Sequence, residues 1–219
     1  MTGVQTCALP ISIDHHVSLK EAIETVPDHL YAVDHSGSVL AWMYFHPNKP
    51  VPMLLRYIEE VDLWRFSLPH IWEVRASLYN LYDFDFHRWN LLARDFAHKK
   101  TLQKYVKEGT LISEYERRAI EKLIKRADIV RFHGIKTLAV NSPMYSSELG
   151  AKLAELLPPL GIIYSLTEGQ LRVSLRGNNK GRKKVNCAKL ALLHDGGGHK
   201  LSAAFTMPAN KPLPWKRIK

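Results

Sequence analysis

The sequence predicts an α/β protein, and three observations carry that expectation. Short apolar stretches near 30–33, 135–140, 162–166 and 171–175, set off by Gly, Pro or charged residues, read as strands. Segments with apolar residues three and four positions apart read as helices between them. A long amphipathic segment at about 111–127 divides two patterns: mostly helical before it, strands and a hairpin after it. The chain has 219 residues, 46% hydrophobic and 24% charged, which fits one large globular domain or two small ones. Cys7 and Cys187 alone exclude a disulfide framework and suit a reducing, cytoplasmic setting. No apolar run is long enough to span a bilayer, so no membrane partner is expected.

In chain order, residues 1–12 show neither a helical nor a strand period and no basic signal-peptide region. They are expected to be a leader foreign to the fold, which sets Cys7 aside. Ser18 and Glu21 form a capping box for a short helix that Pro27 stops. Leu30–Val33 is a strand. Ser36 caps a helix from about Gly37 to His46, ended by Pro47 and Pro50. Its N-terminus suits either an anion or a plain structural cap. Helical spacing resumes from Met53 and ends at Asp62-Leu63-Trp64-Arg65-Phe66, with further helices over 71–80, 86–96 and 98–107. Ser113 and Glu116 form a second capping box, predicting a separate connecting helix within 108–130.

Beyond it, Ile135–Val140 is a strand, and Ser146 or Ser147 opens a helix that runs to Leu157 before Pro158-Pro159. Ile162–Leu166 and Leu171–Leu175 form a hairpin through Glu168-Gly169. A basic turn over 178–184 and a helix over 185–193 lead to Asp195-Gly196-Gly197-Gly198-His199-Lys200.

Two stretches carry chemistry. The net charge of +10 is confined to the end of the chain, where residues 170–219 hold 12 Lys and Arg against Asp195 alone. A one-signed surface of that kind suits a polyanion, though a solvated basic tail explains Lys216, Arg217 and Lys219 equally well. The three glycines let backbone amides approach an anion, with His199 and Lys200 as donors; a flexible linker is the alternative. Arg176 fits either a bidentate phosphate contact or a surface ion pair. Near the other end, Asp14-His15-His16 follows the apolar Ile13, as at the end of a buried strand. Open α/β sheets place ligands at that edge, so a metal site competes with a loop of titrating histidines.

Asp14-His15-His16, Asp62 within Asp-Leu-Trp-Arg-Phe, Ser174-Leu175-Arg176, and Gly-Gly-Gly-His-Lys leading to Ser202-Ala203-Ala204-Phe205 stand in the order found in the DHH phosphoesterases. Over about 13–207 the chain resembles that family, nearest to its small oligoribonucleases, or nano-RNases, which are also described as cyclic-nucleotide phosphodiesterases. The resemblance implies a parallel-sheet DHH domain, here partial, over 13–107. A linker helix and a smaller α/β substrate-binding domain with a mixed sheet over 131–207 follow, then a basic tail over 208–219. It implies two divalent ions, usually manganese, with the active site in the cleft between the domains. By motif match His15 and Asp62 are metal ligands, Asp14 supports them, and His16 meets the substrate phosphate. Arg176, Gly197, Gly198 and His199 match positions that hold the terminal nucleotide. Asp195 stands where many members have glycine, and Ser202 where alanine is usual.

The family's Asp-x-Asp segment and a further aspartate, both before the triplet, have no counterpart, so the sequence reads as the later part of an interrupted gene. A two-metal site needs several oxygen ligands. The expected parent is a manganese-dependent phosphodiesterase acting on short RNA, with this chain inactive or weak. The alternatives are a non-catalytic nucleotide-binding module, a cyclic-nucleotide phosphodiesterase, and a pyrophosphate or polyphosphate hydrolase. Monomer and homodimer both remain open.

Overall fold

Two units follow one another along the chain, one ending at Tyr115 and one beginning at Glu116. The structure, a computed structural model, describes residues 10–83 and 85–218, so Cys7 and Lys219 lie outside it. Its class is α/β, as the sequence predicts.

In the first unit, strand β1 (Ile11–Asp14) pairs in parallel with β2 (Asp28–Tyr31), in register Ile11 to Asp28 through Asp14 to Tyr31. Parallel neighbours need a crossover, here a 3-10 turn (Val17–Leu19) and helix α1 (Lys20–Glu24). Two expectations change. Ile11 and Ser12, assigned to the leader, are strand residues. Helix α1 starts one residue later than expected, with Leu19 at its N-cap and no side-chain hydrogen bond from that residue.

Four helices and the start of a fifth complete this unit: α2 (Gly37–Phe45), α3 (Met53–Asp62), α4 (Ile71–Leu81), α5 (Phe86–Phe96) and α6 (Lys99–Ile124). Ser36 caps α2 by accepting from the Val39 amide at 3.3 Å, and Asp85 caps α5 by accepting from the His87 amide at 2.9 Å. Leu54, Tyr57, Val74, Leu78, Leu92, Phe96 and Tyr105 bury one shared core.

Helix α6 corrects the expected break. The segments expected at 98–107 and 111–127 belong to one helix, Lys99–Ile124, and Ser113 lies inside it, donating from Oγ to the Thr110 carbonyl at 3.0 Å. Glycine weakens a helix interior, which is why residue 109 looks like a boundary. Tertiary packing keeps it helical: a Cβ on Gly109 would stand 1.7 Å from the Glu73 carbonyl oxygen, so only glycine lets α4 and α6 lie this close. Tyr82 Oη, donating to Glu108 at 2.7 Å, holds the same stretch.

The second unit is a seven-stranded sheet in the order β7-β8-β6-β5-β4-β3-β9. Its members are β3 (Asp128–Phe132), β4 (Ile135–Asn141), β5 (Leu160–Thr167), β6 (Gln170–Gly177), β7 (Gly197–His199), β8 (Ser202–Pro208) and β9 (Lys216–Arg217). Only β4 and β5 are parallel, joined by α7 (Ser146–Leu156); the other neighbours are antiparallel. The β5–β6 hairpin turns at Glu168 and Gly169, both left-handed, as two-residue hairpins require. Helix α8 (Cys187–Leu192), capped by Asn186, belongs with the core of Val130, Phe132, Leu160, Ile162, Val173, Leu175 and Phe205. Leu149 and Leu153 of α7 bury a second cluster with Ile120, Val140 and Ile163.

Two boundaries move. Asp128–Val130, assigned to the connecting helix, begins strand β3. The expected basic tail is structured: Trp215 is buried in the sheet core, and Lys216–Arg217 pair with Arg131 and Val130. Arg217 donates from Nη2 to Asp128 at 2.5 Å, so the charge of that segment is tied into the sheet edge.

Candidate functional site

The first candidate site sits where β1 ends. Asp14 Oδ1 accepts from the amides of His15 (2.6 Å) and His16 (2.7 Å) and lies 2.7 Å from His16 Nδ1. A carboxylate in that position accepts from Nδ1–H and orients the ring, leaving Nε2 to face a ligand. One ligand atom each from Asp14, His15 and His16 lies within 4.8 Å of the others. His15, 8% exposed, points Nε2 at Asp62 Oδ2 on α3, 3.6 Å away. The four residues that the sequence singles out in this half therefore meet.

Burial by itself raises the Asp14 carboxyl, but the amide and ring bonds from His16 and the amide of His15 outweigh it and hold Asp14 below the ordinary aspartate value. A depressed folded value stabilises the fold above the unfolded value, about 4, and that contribution is lost as pH falls through the folded value. Asp14→Asn should therefore lower the melting temperature at pH 6 but cost little near pH 2. An equal deficit at both pH values would show that the ionised carboxylate contributes nothing.

The end of α3 holds residues that sequence reasoning missed. Glu59 Oε2 accepts from the Ser36 amide at 2.9 Å and lies 3.1 Å from His35 Nδ1, while Arg65 bonds both Glu59 and the Asp34 carbonyl. Glu60 accepts from the Ser67 amide. Burial raises the Glu60 carboxyl, yet the bonds from Ser67 and Leu68 and the charge of Arg65 hold it low. These acids fix the loops on either side, including left-handed Trp64 and Phe66, and leave Asp62 to face His15. The signal was the Glu-Glu-x-Asp run, in which only Asp62 matched a motif.

The second candidate site lies on the sheet of the second unit. Arg176 pairs with Ser202, and Ser202 pairs with His199. Residues directly opposite share a face, so Arg176 and His199 flank Ser202 across roughly 10 Å of sheet. Arg176 donates to the Leu175 carbonyl at 3.0 Å and to Ser147 Oγ on α7 at 2.9 Å. Both acceptors are neutral, and burial pulls the guanidinium below the ordinary arginine value. The charge of Glu148 opposes that shift, and a half-buried cation bonded to neutral acceptors can still take an incoming anion. The ion pair considered for Arg176 is absent among the described residues. Cys187, also in this region, is a buried free thiol that burial pushes up to about 12, away from the reactive thiolate.

The three glycines are not equivalent in the structure. Gly198 has φ +136°, and a Cβ there would stand 2.6 Å from the Ser202 carbonyl oxygen; at Gly196 it would stand 2.3 Å from that of Ala204. These two are required by the β7–β8 hairpin itself. Gly197 has open space in front of it. Gly198→Ala should lower the melting temperature by several degrees and Gly197→Ala by little; the reverse order would overturn this division.

No known protein family's profile matches the chain. Over 219 residues it is 27% identical to an uncharacterized protein of Acanthamoeba polyphaga mimivirus, covering 95% of this chain and 50% of that protein. The chain thus spans about half the length of that curated relative. Among solved structures it is similar to a pGpG-specific phosphodiesterase from Vibrio cholerae, with 13% identity, a TM-score of 0.48, and 92% and 94% of the two chains covered. It is also similar to an uncharacterized protein from Helicobacter pylori, with 15% identity, a TM-score of 0.35, and 89% and 67% covered. No described helix is long and apolar enough to cross a membrane.

Proposed function

We propose that the chain belongs to a manganese-dependent phosphodiesterase of the DHH type that hydrolyses short oligoribonucleotides. The donor set fits the metal: an imidazole and a carboxylate from His15 and Asp62, with Asp14 and His16 beside them, suit Mn2+. A divalent ion held there supplies Lewis-acid stabilisation of charge on the phosphoryl oxygens. Asp14 orients the His16 ring, and His16 presents a nitrogen to the substrate phosphate. Arg176, His199 and the backbone at Gly197 and Gly198 hold the terminal nucleotide.

The observation that carries the binding half is the half-buried Arg176 guanidinium, hydrogen-bonded to neutral oxygens and in line with His199 across the sheet. A labelled trinucleotide titrated into the wild type should bind more weakly as salt rises. Arg176→Ala and His199→Ala should each cost about 1–3 kcal/mol, roughly five- to 150-fold in affinity. Unchanged affinity in both would remove the phosphate site.

The second reading is nucleotide binding without hydrolysis. What favours it is that the ligand atoms gather in one place, around Asp14-His15-His16 and Asp62, a set sized for one ion rather than two. Following cleavage with added manganese in the same titration separates the readings. Manganese-dependent cleavage supports the enzyme, and binding with no cleavage supports the module.

A further inference from the structure

We propose that His133 and His194 form a second metal site, specific for a borderline-soft divalent cation of the zinc, nickel or copper kind. It is separate from the Asp14-His15-His16-Asp62 cluster. His133 lies in the β3–β4 turn and His194 just after α8, and their Nε2 atoms are 2.9 Å apart. Two imidazole nitrogens each about 2.1 Å from one ion stand about 3.0 Å apart at a right angle and about 3.4 Å apart at the tetrahedral angle. The pair is therefore within a few tenths of an ångström of a chelating bite.

The rings are held in place before any ion arrives. His194 lies parallel to Phe205, with centroids 4.2 Å apart and planes 13° apart, while His133 meets Phe132 edge-on at 4.5 Å. Left-handed backbone at His133 (φ 43°) and Asp195 (φ 58°) fixes the two chain segments that carry the rings. Burial, and then His133 itself, hold the His194 ring below the ordinary imidazole value, with the negative charge of Asp195 opposing them. In the metal-free pair one neutral ring donates from Nε2 and the other accepts. On binding, the donor ring moves its proton to Nδ1 through solvent, both Nε2 lone pairs go to the cation, and neutral rings release no net proton. Imidazole-only donors select against Mg2+, Ca2+ and Mn2+, which take oxygen. A bound ion would tie the β3–β4 turn to the segment entering Gly196–Gly198.

The test is zinc titration of the full chain, followed by calorimetry and by melting temperature, with manganese as the second arm. His133→Asn tolerates the left-handed backbone, and His194→Phe keeps a ring on Phe205. We expect wild type to bind one more equivalent of zinc than either variant, or to bind that equivalent at least tenfold more tightly. The zinc-dependent rise in melting temperature should shrink in both variants. Manganese should not distinguish them from the wild type. His15→Ala should retain the zinc equivalent that depends on His133. Equal zinc stoichiometry and affinity in wild type and both variants would overturn the proposal, leaving only a hydrogen bond between neutral rings. Loss of the same equivalent in His15→Ala would overturn its independence from the first cluster.

Discussion

Gly109→Ala should destabilise the protein by about 2 kcal/mol, even though alanine is the better helix former. The propensity gain is about 1 kcal/mol. Against it stands a Cβ placed 1.7 Å from the Glu73 carbonyl oxygen, a backbone atom of α4 that cannot rotate away. The helices would have to separate and loosen the packing of Val74 and Leu78 against Tyr105 and Val106. Forced overpacking costs about 1–3 kcal/mol and sometimes more. Urea unfolding followed by circular dichroism measures the difference. A variant as stable as the wild type would mean that α4 and α6 are not in close contact at this point.

The second large effect concerns metal. His15→Ala should weaken manganese binding at least as much as the roughly 10- to 100-fold that loss of a supporting residue costs a metal site. His15 is nearly buried, within 3.6 Å of Asp62, and grouped with Asp14 and His16. Asp62→Asn should give a loss of the same kind while sparing the core, because Asp62 is exposed. Water-proton relaxation of added Mn2+ reads both. Affinity that matches the wild type in both variants would remove these residues from the metal site, and the catalytic reading would go with them.

Strands β4, β5 and β6 of the second unit were legible because their signals are local. Alternation in Leu171, Val173 and Leu175 and the Glu168-Gly169 turn need no knowledge of distant residues. Continuity of α6 was not legible, since the reason glycine is tolerated at 109 lies in the carbonyl of Glu73. Strand β9 was hidden for a similar cause: Lys216 and Arg217 look like a solvated tail until β3 and Asp128 are beside them. At the candidate sites, Asp14, His15 and His16 were legible as neighbours in sequence. Asp62 entered through its motif, and the structure brings it to His15. The roles of Glu59 and Glu60 are set by the loops they hold, which no spacing rule encodes. The glycine run was read as three equivalent residues, whereas the hairpin needs glycine at 196 and 198 and leaves open space at Gly197.

Strand β3 is the first strand of the larger sheet to be synthesised, and its outer neighbour β9 is the last among the described residues. As the chain emerges from the ribosome, β4 can cover one side of β3 at once. The other side keeps its amides and carbonyls unpaired until Lys216 and Arg217 arrive. Through that interval the nascent chain carries an open strand edge, able to recruit another copy's strand in place of its own. The missing closure is only two residues long and held by Trp215 and the Arg217–Asp128 bond. Crowded translation of one message should therefore be the condition under which this protein aggregates most.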